Sequence, residues 1–250
     1  MLKTKTMSMS KSFFSLFLLV SMAVTAQEAK KTDSIIPRTE RYGLRMGTDL
    51  YKIARSIYDK DYKGFEVTAD YRYSKRIYIA GEIGNENKTT DEPQLNFTTK
   101  GTYFKIGADY NIYENWLDME NMITIGARYG VSSFSQELNS YDIYIPNPYF
   151  PGSGAVTTPQ TFDGLSAHWL ELVAGIKAEI FDNVFLGFTL RLNRLVSNKK
   201  PENFDNLYIP GFNRTYEADF GVGFNYTVSY FIPLYKKKDK PKTEEAPKAK

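Results

Sequence analysis

The segment Tyr216–Tyr230, YEADFGVGFNYTVSY, alternates without a break. Tyr216, Ala218, Phe220, Val222, Phe224, Tyr226, Val228 and Tyr230 are apolar or aromatic, and the residues between them are polar or glycine. A β-strand sends successive side chains to opposite faces, so the segment predicts one strand with an apolar face and a polar face. Its fifteen residues exceed the ~5–6 of a usual strand, whereas crossing a bilayer takes ~9–11 tilted residues.

Seven further segments alternate in the same way. Their apolar sets are Tyr42–Leu50, Phe65–Tyr73, Ile77–Ile83, Phe104–Ile112, Ile123–Val131, Leu170–Ile180 and Val184–Leu192, each taken at every second residue, the third being less clean with only Ile77, Ile79 and Ile83. Eight strands close most simply as an antiparallel up-and-down barrel. The connections alternate in length. Short ones fall at Ser74-Lys75, 114–120 and 181–183, and long ones at 51–63, 86–101, 133–165 and 196–213. Short periplasmic turns opposite long extracellular loops are the pattern of outer-membrane barrels, and an even strand count puts both termini in the periplasm. The predicted fold is therefore all-β, a transmembrane barrel of eight strands.

A soluble barrel such as a lipocalin would alternate too, with its apolar face inward. The polar residues decide between the two. They are mainly Gly, Thr, Asn and Ser with scattered charges of both signs, which suits a cramped interior better than a solvated surface. The apolar face is then the lipid face. The interior set comprises Arg45, Arg72, Lys105, Arg128, Lys177 and Arg191 against Asp49, Glu66, Asp70, Glu82, Asp109, Glu171, Glu179, Glu217 and Asp219. Buried charges require partners, so these residues predict an ion-pair network that plugs the lumen. Tyr42, Tyr71, Tyr73, Tyr110, Trp116, Phe181, Tyr226 and Tyr230 fall near the periplasmic ends and predict an interfacial girdle.

The ends of the chain read differently. Met1–Ala26 has the form of a secretory signal peptide, with Lys3, Lys5 and Lys11 before an apolar run and Val24-Thr25-Ala26 before the cut. Residues 27–41 form a linker, 42–235 the barrel, and Lys236–Lys250 a tail with too little apolar surface to order. Net charge is +3; removing the three signal lysines leaves 3 − 3 = 0, and the tail's seven lysines and three acids make +4 of it. The barrel is thus acidic and offers no nucleic-acid footprint. There is no cysteine, which excludes disulfides, thiolate chemistry and lipoprotein acylation. A mean hydropathy of −0.42 is compatible with a membrane barrel, because alternation dilutes its apolar residues.

Across about 42–231 the chain resembles small outer-membrane barrels of the OmpA/OmpX type. Gly221, Phe224 and Tyr226, in the order Gly-x-x-aromatic-x-aromatic, are similar to the terminal signal read by the barrel-assembly machinery. The Ala-Gln signal end and Tyr-rich strands resemble Bacteroidota barrels, including families without assigned function. Two departures stand out. OmpA-like proteins carry a folded peptidoglycan-binding domain after the barrel, where this chain has a fifteen-residue tail, and the terminal signal here is followed by that tail.

Three features bear on activity. Ser166 and His168, both on the outward face near the external rim, resemble the Ser/His pair of barrels that deacylate lipopolysaccharide, although in that family His precedes Ser; a His-activated Ser is the expected nucleophile for ester cleavage. Tyr141, Tyr144, Tyr149 and Phe150, among the prolines of the third long loop, make a stiff contact surface or a lid over the mouth. The tail suits electrostatic contact with peptidoglycan or a periplasmic partner, or serves as a spacer. The sequence points to no cofactor or metal. Its expected surroundings are outer-membrane lipid or lipopolysaccharide and, as an accessory subunit, a larger outer-membrane complex. The leading expectation is a non-enzymatic structural or interaction role, with lipid A-modifying esterase second and small-solute pore third.

Overall fold

Alternation over eight segments leaves each strand one apolar and one polar face, and both are satisfied when the sheet closes on itself. The computed structural model describes residues 39–113, 120–142, 155–201, 204–215 and 219–238. Its strands are β1 (Thr39–Asp49), β2 (Tyr62–Arg72), β3 (Ile77–Glu92), β4 (Leu95–Asn111), β5 (Met122–Asp142), β6 (Ala155–Val156), β7 (Gln160–Phe181), β8 (Val184–Lys199), β9 (Tyr208–Ile209), β10 (Asn213–Arg214) and β11 (Phe220–Lys238), with one helix, α1 (Leu50–Tyr58). The eight long strands pair antiparallel with their neighbours in the chain, and β1 pairs with β11 to close the ring. No edge is left over most of the circumference, which is what permits a sheet to face lipid.

The burial pattern is inverted relative to a soluble domain. Ile83, Ile125, Leu172 and Val222 stand more than half exposed on the outside, while Glu66, Lys105 and Glu171 are at most 2% exposed within. Among the described residues no helix is long and apolar enough to cross a membrane; the strands carry the apolar exterior. The free ends of β1 and β11 lie together at the end of the barrel that carries the tight turns, where Arg41 donates to Asn183 Oδ1 at 2.8 Å. Asn183 takes φ 65° in the two-residue turn from β7 to β8.

Several boundaries differ from expectation. Residues 86–101 are not a long loop but the continuation of β3 and β4 to a two-residue turn at Pro93-Gln94. Likewise β5 runs on to Asp142 and β7 begins at Gln160, within the expected third loop. Apolar alternation fades once a strand no longer meets lipid, but the hydrogen-bonded ladder continues. At the other end Lys236–Lys238, expected in the disordered tail, pair with Arg41–Thr39 of the expected linker. The first long loop holds α1, capped by Asp49, whose carboxylate accepts from Tyr51 N at 2.9 Å.

Tyr73, Tyr110, Phe181, Tyr226 and Tyr230 are exposed on the exterior as the girdle requires, and Trp116 lies outside the described residues. Tyr42 is a correction: it is buried, stacked 5.2 Å from Tyr235 with the Arg72 guanidinium 5.1 Å from its ring. A register shift between Tyr42 and Gly43 breaks the alternation of β1 at that point, so parity counted from Leu44 misplaces it.

Candidate functional site: a charge network in the lumen

Inward alternation on every strand brings charges from distant positions into one column. Nearest the tight-turn end, Arg72 pairs with Glu40, and Arg41 with Glu120 and Glu179 at 2.7 and 3.2 Å. Above them Asp70 takes Arg45 at 3.2 Å and Lys177 at 2.5 Å, and the Arg45 guanidinium lies 4.2 Å from the Phe185 ring.

The middle of the barrel holds the densest layer. Arg128 grips Asp109 through both terminal nitrogens at 2.8 and 2.7 Å. Arg191 bonds Glu82 with two nitrogens and also donates to Glu171 at 2.8 Å. Lys105 lies 3.0 Å from Glu171, which accepts the Trp169 indole N–H at 2.7 Å. Bidentate guanidinium–carboxylate contacts of this kind repay the desolvation of both ions better than single contacts do.

Toward the long-loop end the network is completed by residues that inward alternation alone did not supply. Lys52 enters from α1 and reaches Glu66 at 2.9 Å, Glu86 at 2.7 Å and the Tyr103 hydroxyl. Tyr103 donates to Glu66, and Asn225 donates to both Asp49 and Glu66. Glu86 also accepts from Tyr62 at 3.1 Å, from Tyr208 at 2.7 Å and from Gly211 N at 3.1 Å. Burial first, and then the Glu86 carboxylate, push the Tyr208 phenol well above its ordinary range.

A lid covers this layer. The β9–β10 hairpin turns inward, burying Ile209 and Phe212 against Trp169, Phe134 and Leu165. Phe212 meets the Trp169 ring edge-on at 5.8 Å. Gly211 adopts φ 81°, and a Cβ there would fall 2.4 Å from the Tyr103 ring, so both conformation and space call for glycine. The lid therefore comes from the fourth long loop. In the third, Tyr141 packs with Phe97, Leu138 and Tyr208, while Tyr144, Tyr149 and Phe150 lie outside the described residues.

The sequence-derived interior set thus assembles, with two exceptions. Asp219 is exposed at φ 62°, before the regular part of β11, and so takes no part in the lumen; Glu217 lies outside the described residues. Ser166 and His168 face outward on β7, but no hydrogen bond joins them among the described residues. His168 Nδ1 instead sits 3.1 Å from the Tyr129 hydroxyl. Gly221 faces in beneath Phe212, whereas Phe224 and Tyr226 face out. Among the described residues no group of His, Asp and Glu side chains is arranged to hold a metal ion.

Two solved structures are similar to this chain. They are the attachment invasion locus protein Ail of Yersinia pestis, 11% identical, and Neisserial surface protein A (NspA), 12% identical. In each case the match covers 78% of this chain and 99% of the other, with a TM-score of 0.40. Likeness at that level carries no functional information. No curated protein matches the sequence significantly. Residues 7–237 match the family described as a domain of unknown function, DUF6048, and the chain belongs to that family.

Proposed function

We propose that this chain is a non-enzymatic outer-membrane barrel with both termini in the periplasm and a lumen closed by charge. Its role in this reading is structural or interactive: envelope integrity, adhesion, or service as an accessory subunit of a larger outer-membrane complex. The observation that carries the reading is the pairing of an apolar exterior with an interior of buried ion pairs under an apolar lid. Lipid suits the first, and paired side chains suit the narrow interior of an eight-stranded barrel. The placement of both barrel ends beside the tight turns supports the periplasmic assignment of the termini. Exposed Phe224 and Tyr226, with Gly221, suit recognition by the barrel-assembly machinery.

Planar-bilayer recording on the purified full-length protein tests the closed lumen. The expected outcome is incorporation without stable conductance. Reproducible unitary steps would instead favour the solute pore. Fractionation of native membranes tests the location, and co-purification of a stoichiometric large partner would select the accessory-subunit role over a stand-alone barrel.

A further inference from the structure

Among the described residues, the barrel wall is incomplete where β1 ends. β1 leaves its ladders at Asp49, opposite Thr227, and at Thr48, opposite Val67. Beyond those points Tyr62–Glu66 of β2 pair only with β3, and Phe220–Tyr226 of β11 only with β8. α1 stands in the breach. Ser56 Oγ accepts from Gly64 N at 2.7 Å and donates to Gly64 O at 3.0 Å, and the Tyr51 ring lies 4.7 Å from Phe224. Asp49 accepts the Tyr226 N–H at 3.4 Å. Amide direction alternates along a strand, so Phe224 and Val222 turn their N–H groups toward the same open side.

Between α1 and this strand edge lies a cleft of about 190 Å³. Its walls carry Lys52, Arg55, Lys88, Lys105, Arg191 and Arg214 and, among the described residues, no carboxylate. Lys52, Lys105 and Arg191 are committed to the lumen acids. Arg55 holds Asp59 at 3.0 Å, and Arg214 lies 3.7 Å from Glu92 with both side chains at least half exposed. Lys88 makes no ion pair among the described residues and stands 4.7 Å from the Tyr208 ring. Two further polar atoms of lining residues, Arg191 Nε and Asn193 Oδ1, are buried without a hydrogen-bond partner. The lip is apolar: Val222 and Phe224 line the cleft and are also exposed on the outer face of the barrel.

A cationic recess beside a strand edge that pairs with no other strand among the described residues, opening beside an apolar outer face, is complementary to an amphiphile with an anionic head. We infer that this cleft binds the phosphorylated head group of a membrane lipid that enters sideways past α1, with its acyl chains lying on Val222 and Phe224. A free phosphate would satisfy the same cations but has no use for the apolar lip.

The test uses the full-length protein in phosphatidylcholine nanodiscs containing increasing fractions of phosphatidic acid, with retained lipid counted by native mass spectrometry. Saturable retention of phosphatidic acid over phosphatidylcholine is expected. The double substitution Arg55→Gln with Lys88→Gln should weaken it at least about tenfold, the scale of a lost charged hydrogen bond, while Lys237→Gln at the other end of the barrel should leave it unchanged. Equal retention by wild type and the double variant overturns the inference, as does inorganic phosphate binding as tightly as the lipid. Should the double variant misfold, Val222→Trp keeps every charge and fills the lip; retention that survives it also overturns the inference. Because the inference rests on the membrane reading, failure of the wild type to enter nanodiscs would overturn both, whereas insertion without selective retention overturns this inference alone.

Discussion

Arg191 holds Glu82 through two guanidinium nitrogens at 2.8 and 2.9 Å across the lumen, although 109 positions separate them in the chain. Both side chains are buried, and the same guanidinium reaches Glu171. Removing one member leaves its partners charged with little solvent to receive them. Arg191→Met is therefore expected to cost about 3–5 kcal/mol. Pairing it with Glu82→Gln should recover a large part of that loss. Urea-gradient unfolding from lipid vesicles, followed by heat-modifiable gel migration, reads both values; equal stability of the single and double variants would contradict the coupling.

The lid and the ion layers beneath it are separate barriers. Deleting Leu207–Arg214 removes Ile209 and Phe212 from the mouth but leaves the Arg128–Asp109 and Arg191–Glu82 pairs in place. Planar-bilayer recording on that deletion should still show no stable conductance. Conductance appearing on lid loss alone would make the hairpin the gate.

Gly211 offers a milder probe. Its φ is 81°, and an added methyl would sit 2.4 Å from the Tyr103 ring, so Gly211→Ala meets both backbone strain and a clash. A cost of about 1–3 kcal/mol, borne by the hairpin rather than the barrel, is expected. Limited proteolysis should then cut the hairpin faster while heat-modifiable migration stays unchanged.

The raised Tyr208 ionisation predicts a pH response in the alkaline range. The folded state holds the phenolic proton where the unfolded chain has released it, because burial and Glu86 disfavour a phenolate. The stabilisation is fully present below the unfolded value of about 10 and is lost as pH rises toward the folded one. Wild type should lose stability above that point more steeply than Tyr208→Phe. At neutral pH the variant should be weaker by about 1.5–3 kcal/mol, the worth of a hydrogen bond to a charged group. Parallel pH profiles for the two proteins would count against the assignment.

Period-two alternation is enough to locate all eight long strands and most of the lumen charges, because inside and outside of a narrow barrel differ at every step. It fails where parity is not the governing rule. Tyr42 lies across a bulge, and Asp219 precedes the regular strand. Lys52 arrives from a helix, and its inward position depends on the gap that β1 leaves in the wall. Glu86 is hidden for another reason: Asn85, Asn87 and Lys88 around it are polar on both faces, which is how a strand reads once it has left lipid. Tyr208 and Phe212 sit in a polar loop whose inward fold is set by long-range contacts with Glu86 and Trp169.

The buried charges also act as a key to alignment. Sliding β8 by one residue against its neighbours would turn Arg191 outward into hydrocarbon, at about 2–4 kcal/mol near the bilayer midplane, and bring Leu190 or Leu192 opposite Glu82 and Glu171 instead. Slips of β4, β5 or β7 carry similar penalties through Lys105, Arg128 and Glu171. Ionic contacts that add little net stability thus penalise each one-residue slip of these strands against the native register, which apolar repeats alone would distinguish less sharply.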